Sequence, residues 1–231
     1  MTTIRVAIVI DVFRAFTTAC HVLASKPASY VLSTFSPVLT DMASNLEDTL
    51  LIGKPEIGAD FIYNIPNSPT RVKEERILGR DILHRTEAGA RGILNAKEAD
   101  VILGAGFVNA KATTLYIQSL SSPEVQLFPM GHEGNTPSLE DELCAQYIEC
   151  LLEGKDMDLS RYLPVLRNDS GRYFFSEDQW QYPREDFELC LEKDRFDFAV
   201  QAEVKGDYAI LREVKIEPLE QRFQGAAAKA P

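Results

Sequence analysis

The sequence predicts an α/β fold: three layers, α/β/α, on a mainly parallel or mixed sheet, completed by a C-terminal helical segment and a β-hairpin. Three observations carry that prediction. Short apolar runs rich in β-branched residues recur from residue 4 to residue 130. Segments with helix-start signals separate them, and such alternation needs a largely parallel sheet with helices on both faces. After Gly154 the pattern changes to two helical stretches and then two strands around a Lys205-Gly206-Asp207 turn. At 231 residues and 45% hydrophobic content, the chain is long enough for one such core. The simplest organisation is one domain over 1–217, with 155–217 as its C-terminal elaboration and 218–231 as a flexible tail.

The elements follow in order. Ile4 to Ile10 (IRVAIVI) suits a strand buried on both faces, and further strands are expected at 28–33, 49–53, 80–84, 100–105 and 125–130. Ser36-Pro37 starts a helix with a hydroxyl cap and a proline in the first turn, and Asn67-Ser68-Pro69 starts another. Ser138 opens a longer helix with Glu140, Asp141 and Glu142 in its positive first turn, and Gly154 closes it. Helices are expected at 158–168 and 184–194. Phe196, Phe198, Val200, Ala202 and Val204 then alternate with polar residues, and Tyr208 to Ile216 returns as the second strand. This hairpin reads as a sheet edge, a cap or a dimer element.

The formal net charge of −11 is spread over the whole length, which excludes nucleic acid and anionic membrane as partners. One window, 71–91, is rich in arginine; it steers a small anion or is a solvated helix face. The four cysteines form no CxxC pair, and with the three histidines they show no zinc spacing. No signal peptide or membrane-length apolar stretch is seen, so a cytoplasmic protein is expected. Gly104-Ala105-Gly106 misses the dinucleotide fingerprint by its third glycine.

Chemistry gathers after the strands, where open parallel sheets bind ligands. The first strand runs into Asp11-x-x-Arg14 and then Thr17. The third runs into Gly53-Lys54-Pro55-Glu56 and on to Asn67-Ser68. The fourth gives His84, Arg85, Thr86 and Gly89, then Arg91; the fifth gives Asn109; the sixth gives His132, then Glu140 and Asp141. Forked arginine donors hold phosphate or sulfonate, hydroxyls and backbone N–H groups complete an anion shell, and carboxylates suit Mg²⁺. The reaction class is metal-assisted hydrolysis of a small phosphate ester. Each group also has a plain structural reading. Asp11 would cap the next helix, Arg14 would balance Asp11, Ser68 would cap a helix, and Arg85 and Arg91 would form surface ion pairs. Asp141 shares a helix side with Cys144, Ile148 and Leu152, which argues that it is buried. His84 and His132 are placed to protonate a leaving oxygen, and His21 to pack.

Several of these stretches together resemble the 2-phosphosulfolactate phosphatase family. They are DVFRAFTTA from Asp11, Pro66-Asn67-Ser68-Pro69, Thr86 to Arg91, Asn109, Gly131-His132-Glu133-Gly134 with Ser138 to Asp141, and Asp186 to Cys190. The resemblance covers roughly residues 4 to 217 in order. It implies a cytoplasmic Mg²⁺-dependent phosphatase of the coenzyme M biosynthesis type, a three-layer fold and a homodimer. It makes Asp11, Arg14 and Asp141 catalytic candidates. With Thr17 and Arg85 added from their own chemistry and position, Asn67, Ser68, Thr86, Gly89, Arg91 and Asn109 become candidates for binding substrate or phosphate, and Asp11, Glu140 and Asp141 for binding metal. The chain departs from the family pattern at Thr86-Glu87-Ala88-Gly89-Ala90, where an amide and two hydroxyls are lost and a carboxylate is gained. Two further readings stay open: a phosphatase for another phosphorylated hydroxy acid, and a non-catalytic anion-binding or assembly protein.

Overall fold

A computed structural model describes residues 3–53 and 62–215. Lys54 and Glu56, expected near the site, and the expected tail at 218–231 lie outside the described residues. Eight strands form one sheet: β1 (Ile4–Ile10), β2 (Ser29–Ser33), β3 (Thr49–Ile52), β4 (Asp81–Arg85), β5 (Val101–Ala105), β6 (Pro123–Pro129), β7 (Phe198–Lys205) and β8 (Tyr208–Lys215). The helices are α1 (Ala15–Ala24), α2 (Ser36–Ser44), α3 (Pro69–Glu74), α4 (Ala88–Asn95), α5 (Ala110–Gln118), α6 (Leu139–Leu152), α7 (Leu163–Asn168) and α8 (Arg184–Leu191). Each expected strand and helix is present to within a few residues. Ser36, expected as a cap, is the first residue of α2 itself; Phe35 holds the cap position without a side-chain hydrogen bond.

The strand order is β3-β4-β2-β8-β7-β5-β1-β6. The hairpin β7–β8 therefore fills the middle of the sheet, which corrects the expected sheet edge, cap or dimer element. β8 pairs antiparallel with β2 (Leu32 opposite Ala209), and β7 pairs antiparallel with β5 (Gly104 opposite Val200). The physical reason lies in the strand's sides. Phe198 and Val200 pack with Phe16 and Ile93 on one face, while Ala199 packs with Leu103 and Ala105 on the other. A strand covered on both faces belongs inside a sheet.

This insertion has a topological effect. β2, β3 and β4 are mutually parallel, as are β1, β5 and β6. Three antiparallel steps separate the triplets, so they run in opposite directions. The carboxyl ends of all the strands thus do not share one sheet end, as the sequence led us to expect. The loops that follow β1 and β4 meet nonetheless. The hydrogen bond from Gly89, just beyond β4, to Asp11, just beyond β1, records that meeting. One core cluster lies where α1, α3 and α4 cover the sheet; another joins α5, α6 and α8 to the opposite face.

Candidate active site

β1 delivers Asp11 into a cleft of about 570 Å³. Its Oδ1 accepts the Ala15 N–H at 3.1 Å and its Oδ2 accepts the Gly89 N–H at 2.8 Å. Glycine is required at 89, because a Cβ there would stand 2.8 Å from the Ala15 Cβ and 3.0 Å from Asp11 Oδ2. Asp141, in the first turn of α6, accepts the Val12 N–H through Oδ1 and the Gly131 N–H through Oδ2, both at 2.8 Å. Gly131 turns at φ +68°, and a Cβ there would strike the Thr136 carbonyl. The two aspartates thus staple the loop after β1 to the starts of α4 and α6.

Glu140 completes an acidic trio. It is 6% exposed, and its Oε2 has no hydrogen-bond partner. Ser138 Oγ, Ser170 Oγ and Asn67 Oδ1, all on the same cleft, are also without one. Burial pushes Asp11 from 3.8 up to about 6; the Ala15 and Gly89 N–H groups restrain the rise, and Glu140 adds to it. Burial holds Asp141 well above the usual carboxylate range, and the charges of Asp11 and Glu140 push the same way. Burial raises Glu140 too. Three such neighbours resist simultaneous ionisation.

Arg14 is treated differently. Its Nη1 donates to Asp186 Oδ2 at 2.6 Å, with both side chains buried. Its guanidinium also sits 5.0 Å from the Tyr182 ring and 5.6 Å from the Phe174 ring. Asp186 Oδ1 accepts the Thr70 N–H at 2.9 Å, which ties α3 and α8 to the loop after β1. Arg85, the last residue of β4, lines the cleft beside Thr86 and Glu87. Its Nη2 lies 3.2 Å from Glu87 Oε2, and Arg91 Nη2 lies 2.6 Å from Glu87 Oε1.

The cleft therefore gathers Asp11, Arg14, Asn67, Arg85, Thr86, Glu140 and Asp141 from the sequence candidates. Gly89 serves it through its backbone, and Arg91 reaches it through Glu87 and Glu133. The other three have internal duties and do not line it. Thr17 donates to the Val12 carbonyl at 3.2 Å, and Ser68 caps α3 by accepting the Arg71 N–H at 3.2 Å. Asn109 bridges Gly106 N–H and the Gly104 carbonyl. His84 is fully buried against Tyr30, with burial lowering it to about 3; it is a neutral core residue, not a proton donor at the cleft. His21 packs edge-on against Phe196. His132 does line the cleft.

Sequence reasoning missed one wall altogether. Asp169, Ser170, Arg172, Tyr173, Phe174, Gln181 and Tyr182 come from the segment between α7 and α8. Asp186 was also unassigned, although the Asp186 to Cys190 stretch was part of the family resemblance and was the available signal.

Among the described residues no three His, Cys, Asp or Glu side chains form a ready metal cage. Mg²⁺ needs fewer: one or two carboxylates, with waters and substrate phosphate completing its shell. The acidic trio fits that mode, since Glu140 Oε2 is a buried acceptor without a partner.

Residues 1–204 match the family model described as 2-phosphosulpholactate phosphatase. A protein of Bacillus subtilis named probable 2-phosphosulfolactate phosphatase is 24% identical over 212 residues, covering 90% of this chain and 92% of its own. Proteins of the same name are 36% identical in Symbiobacterium thermophilum (72% of this chain, 69% of the relative) and 32% identical in Synechocystis (67% and 64%). The chain belongs to the 2-phosphosulpholactate phosphatase family.

Proposed function

We propose that this family member hydrolyses a small phosphate monoester in the Asp11 cleft, with 2-phosphosulfolactate as substrate and sulfolactate and phosphate as products. One observation carries the reading. Asp11, Glu140 and Asp141 come together from distant parts of the chain beside Arg14 and Arg85, on the floor of one cleft. That set offers carboxylates to a metal and forked donors to a phosphate.

In this reading Arg14 holds the phosphate oxygens, with the Thr86 hydroxyl beside it, and Arg85 faces the substrate's other acidic group. Asp186 fixes the plane of Arg14 before substrate arrives, so its donors need no reorganisation. Asp11, raised to about 6, takes a proton from the attacking water. The water oxygen bonds to phosphorus as the ester P–O bond breaks, and the leaving oxygen takes a proton from the protonated member of the trio. One or two of these carboxylates, Glu140 first, would hold Mg²⁺, which when bound neutralises phosphate charge. In this reading the sulfolactate product would serve coenzyme M biosynthesis.

The test is phosphate release from 2-phosphosulfolactate, glycerol 2-phosphate and an aryl phosphate, with Mg²⁺ and with EDTA. Release from phosphosulfolactate that EDTA abolishes supports the reading. Release only from the other esters replaces the substrate, and no release from any ester removes the activity.

A further inference from the structure

We propose that Glu87 is a specificity-determining residue: its carboxylate occupies the arginine pair where a substrate's second acidic group would bind, and so weights the cleft against doubly acidic ligands. Glu87 sits at the N-terminal cap position of α4 and lines the cleft. Its two oxygens are taken in opposite directions, Oε2 by Arg85 at 3.2 Å and Oε1 by Arg91 at 2.6 Å. Arg91 is held further by the Glu133 carbonyl, which accepts its Nη1 at 2.9 Å from the opposite loop. A carboxylate bridged by two guanidinium groups is chemically what a bound sulfonate or carboxylate ligand would be in the same place.

Arg14 answers Asp186 and is the phosphate ligand proposed above, and Arg172 donates to the Asp169 carbonyl and the Tyr173 hydroxyl. The Arg85–Arg91 pair grips one carboxylate between two guanidinium groups, which makes it the place for a second acid, and Glu87 fills it. Arg85 is 7% exposed in its side chain, so solvent screens the exchange weakly. A dianionic ligand must displace Glu87 or bind beside its charge; a ligand with one acidic group meets no such competitor.

The identity of the ester rests on the function proposed above, but the effect of Glu87 on anion binding does not. The test is calorimetric titration of the full-length wild type, Glu87→Gln and Glu87→Ala with 3-sulfolactate, which has two acidic groups, and with lactate, which has one. Both variants should bind sulfolactate roughly tenfold tighter than wild type, and gain less for lactate. Glu87→Gln, nearly isosteric, decides the matter if Glu87→Ala does not fold. Unchanged or weaker sulfolactate binding by a folded Glu87→Gln overturns the proposal. The same proteins assayed on phosphosulfolactate keep the two readings apart. If wild type hydrolyses no ester, the phosphatase reading fails, and the titration still decides Glu87.

Discussion

One cleft treats buried charge in two opposite ways. On one side Arg14 and Asp186, separated by 172 positions in sequence, close on each other as a buried ion pair backed by two aromatic rings. On the other, the hydrogen bonds to Asp11 and Asp141 come from backbone N–H groups, and Glu140 Oε2 receives none. The first arrangement is complete within the protein. The second leaves negative charge that only a proton or an added cation can answer. The contrast separates what positions the reaction from what performs it.

Four measurements break or sharpen that contrast. The largest effect is expected at Asp11. Asp11→Asn keeps the size of the side chain but removes the base, and should lower kcat/KM for phosphate release by roughly 10³-fold. Next is Asp186→Ala, which strands the Arg14 charge in the interior. It should cost about 3 kcal/mol of stability in urea unfolding. Should that loss be under about 1 kcal/mol, the pair is not the closed unit described here.

The third concerns pH. Asp11 has a folded pKa, about 6, above its unfolded value of 3.8. Its contribution to stability is therefore fully present below about pH 4 and is lost as pH rises through about 6. Thermal unfolding should show that decline in wild type and a flatter profile in Asp11→Asn. Saturating Mg²⁺ at pH 7 should recover on the order of 2 kcal/mol. The smallest effect is expected at Glu140. Glu140→Gln removes a buried charge whose oxygen has no partner, and should stabilise the apo protein by about 1 kcal/mol while weakening Mg²⁺ binding. A destabilised variant would show that Glu140 is already paired.

The sequence made the Asp11 corner legible because its signal is local: a buried strand that ends in a carboxylate. Asp141 was legible for a similar reason, since helical periodicity set it on the side of Cys144 and Ile148. The missed features are all non-local. Nothing near Arg14 announces a partner in α8, and nothing in residues 169–182 announces a cleft wall. Residue type misled in another way. Thr17, Ser68 and Asn109 carry groups suited to phosphate, but the same groups staple backbone, and only coordinates tell the uses apart. The place of the hairpin was written in Phe198-Ala199-Val200, three buried residues in a row, but regular alternation around them pointed to a half-exposed strand.

The central hairpin also sets an order of events during synthesis. β1 to β6 leave the ribosome first and can form two separate parallel triplets, each with an open edge. Those edges, β2 and β5, find their partners only when residues 198–215 emerge. Joining the two triplets must thus wait for these strands, and it depends on contacts of long sequence separation, which form slowly. A nascent chain stalled before Phe198 would expose two unsatisfied strand edges to its neighbours. It would also lack the closed sheet across which Asp11 meets Gly89, so catalytic competence would arrive only with the final strands.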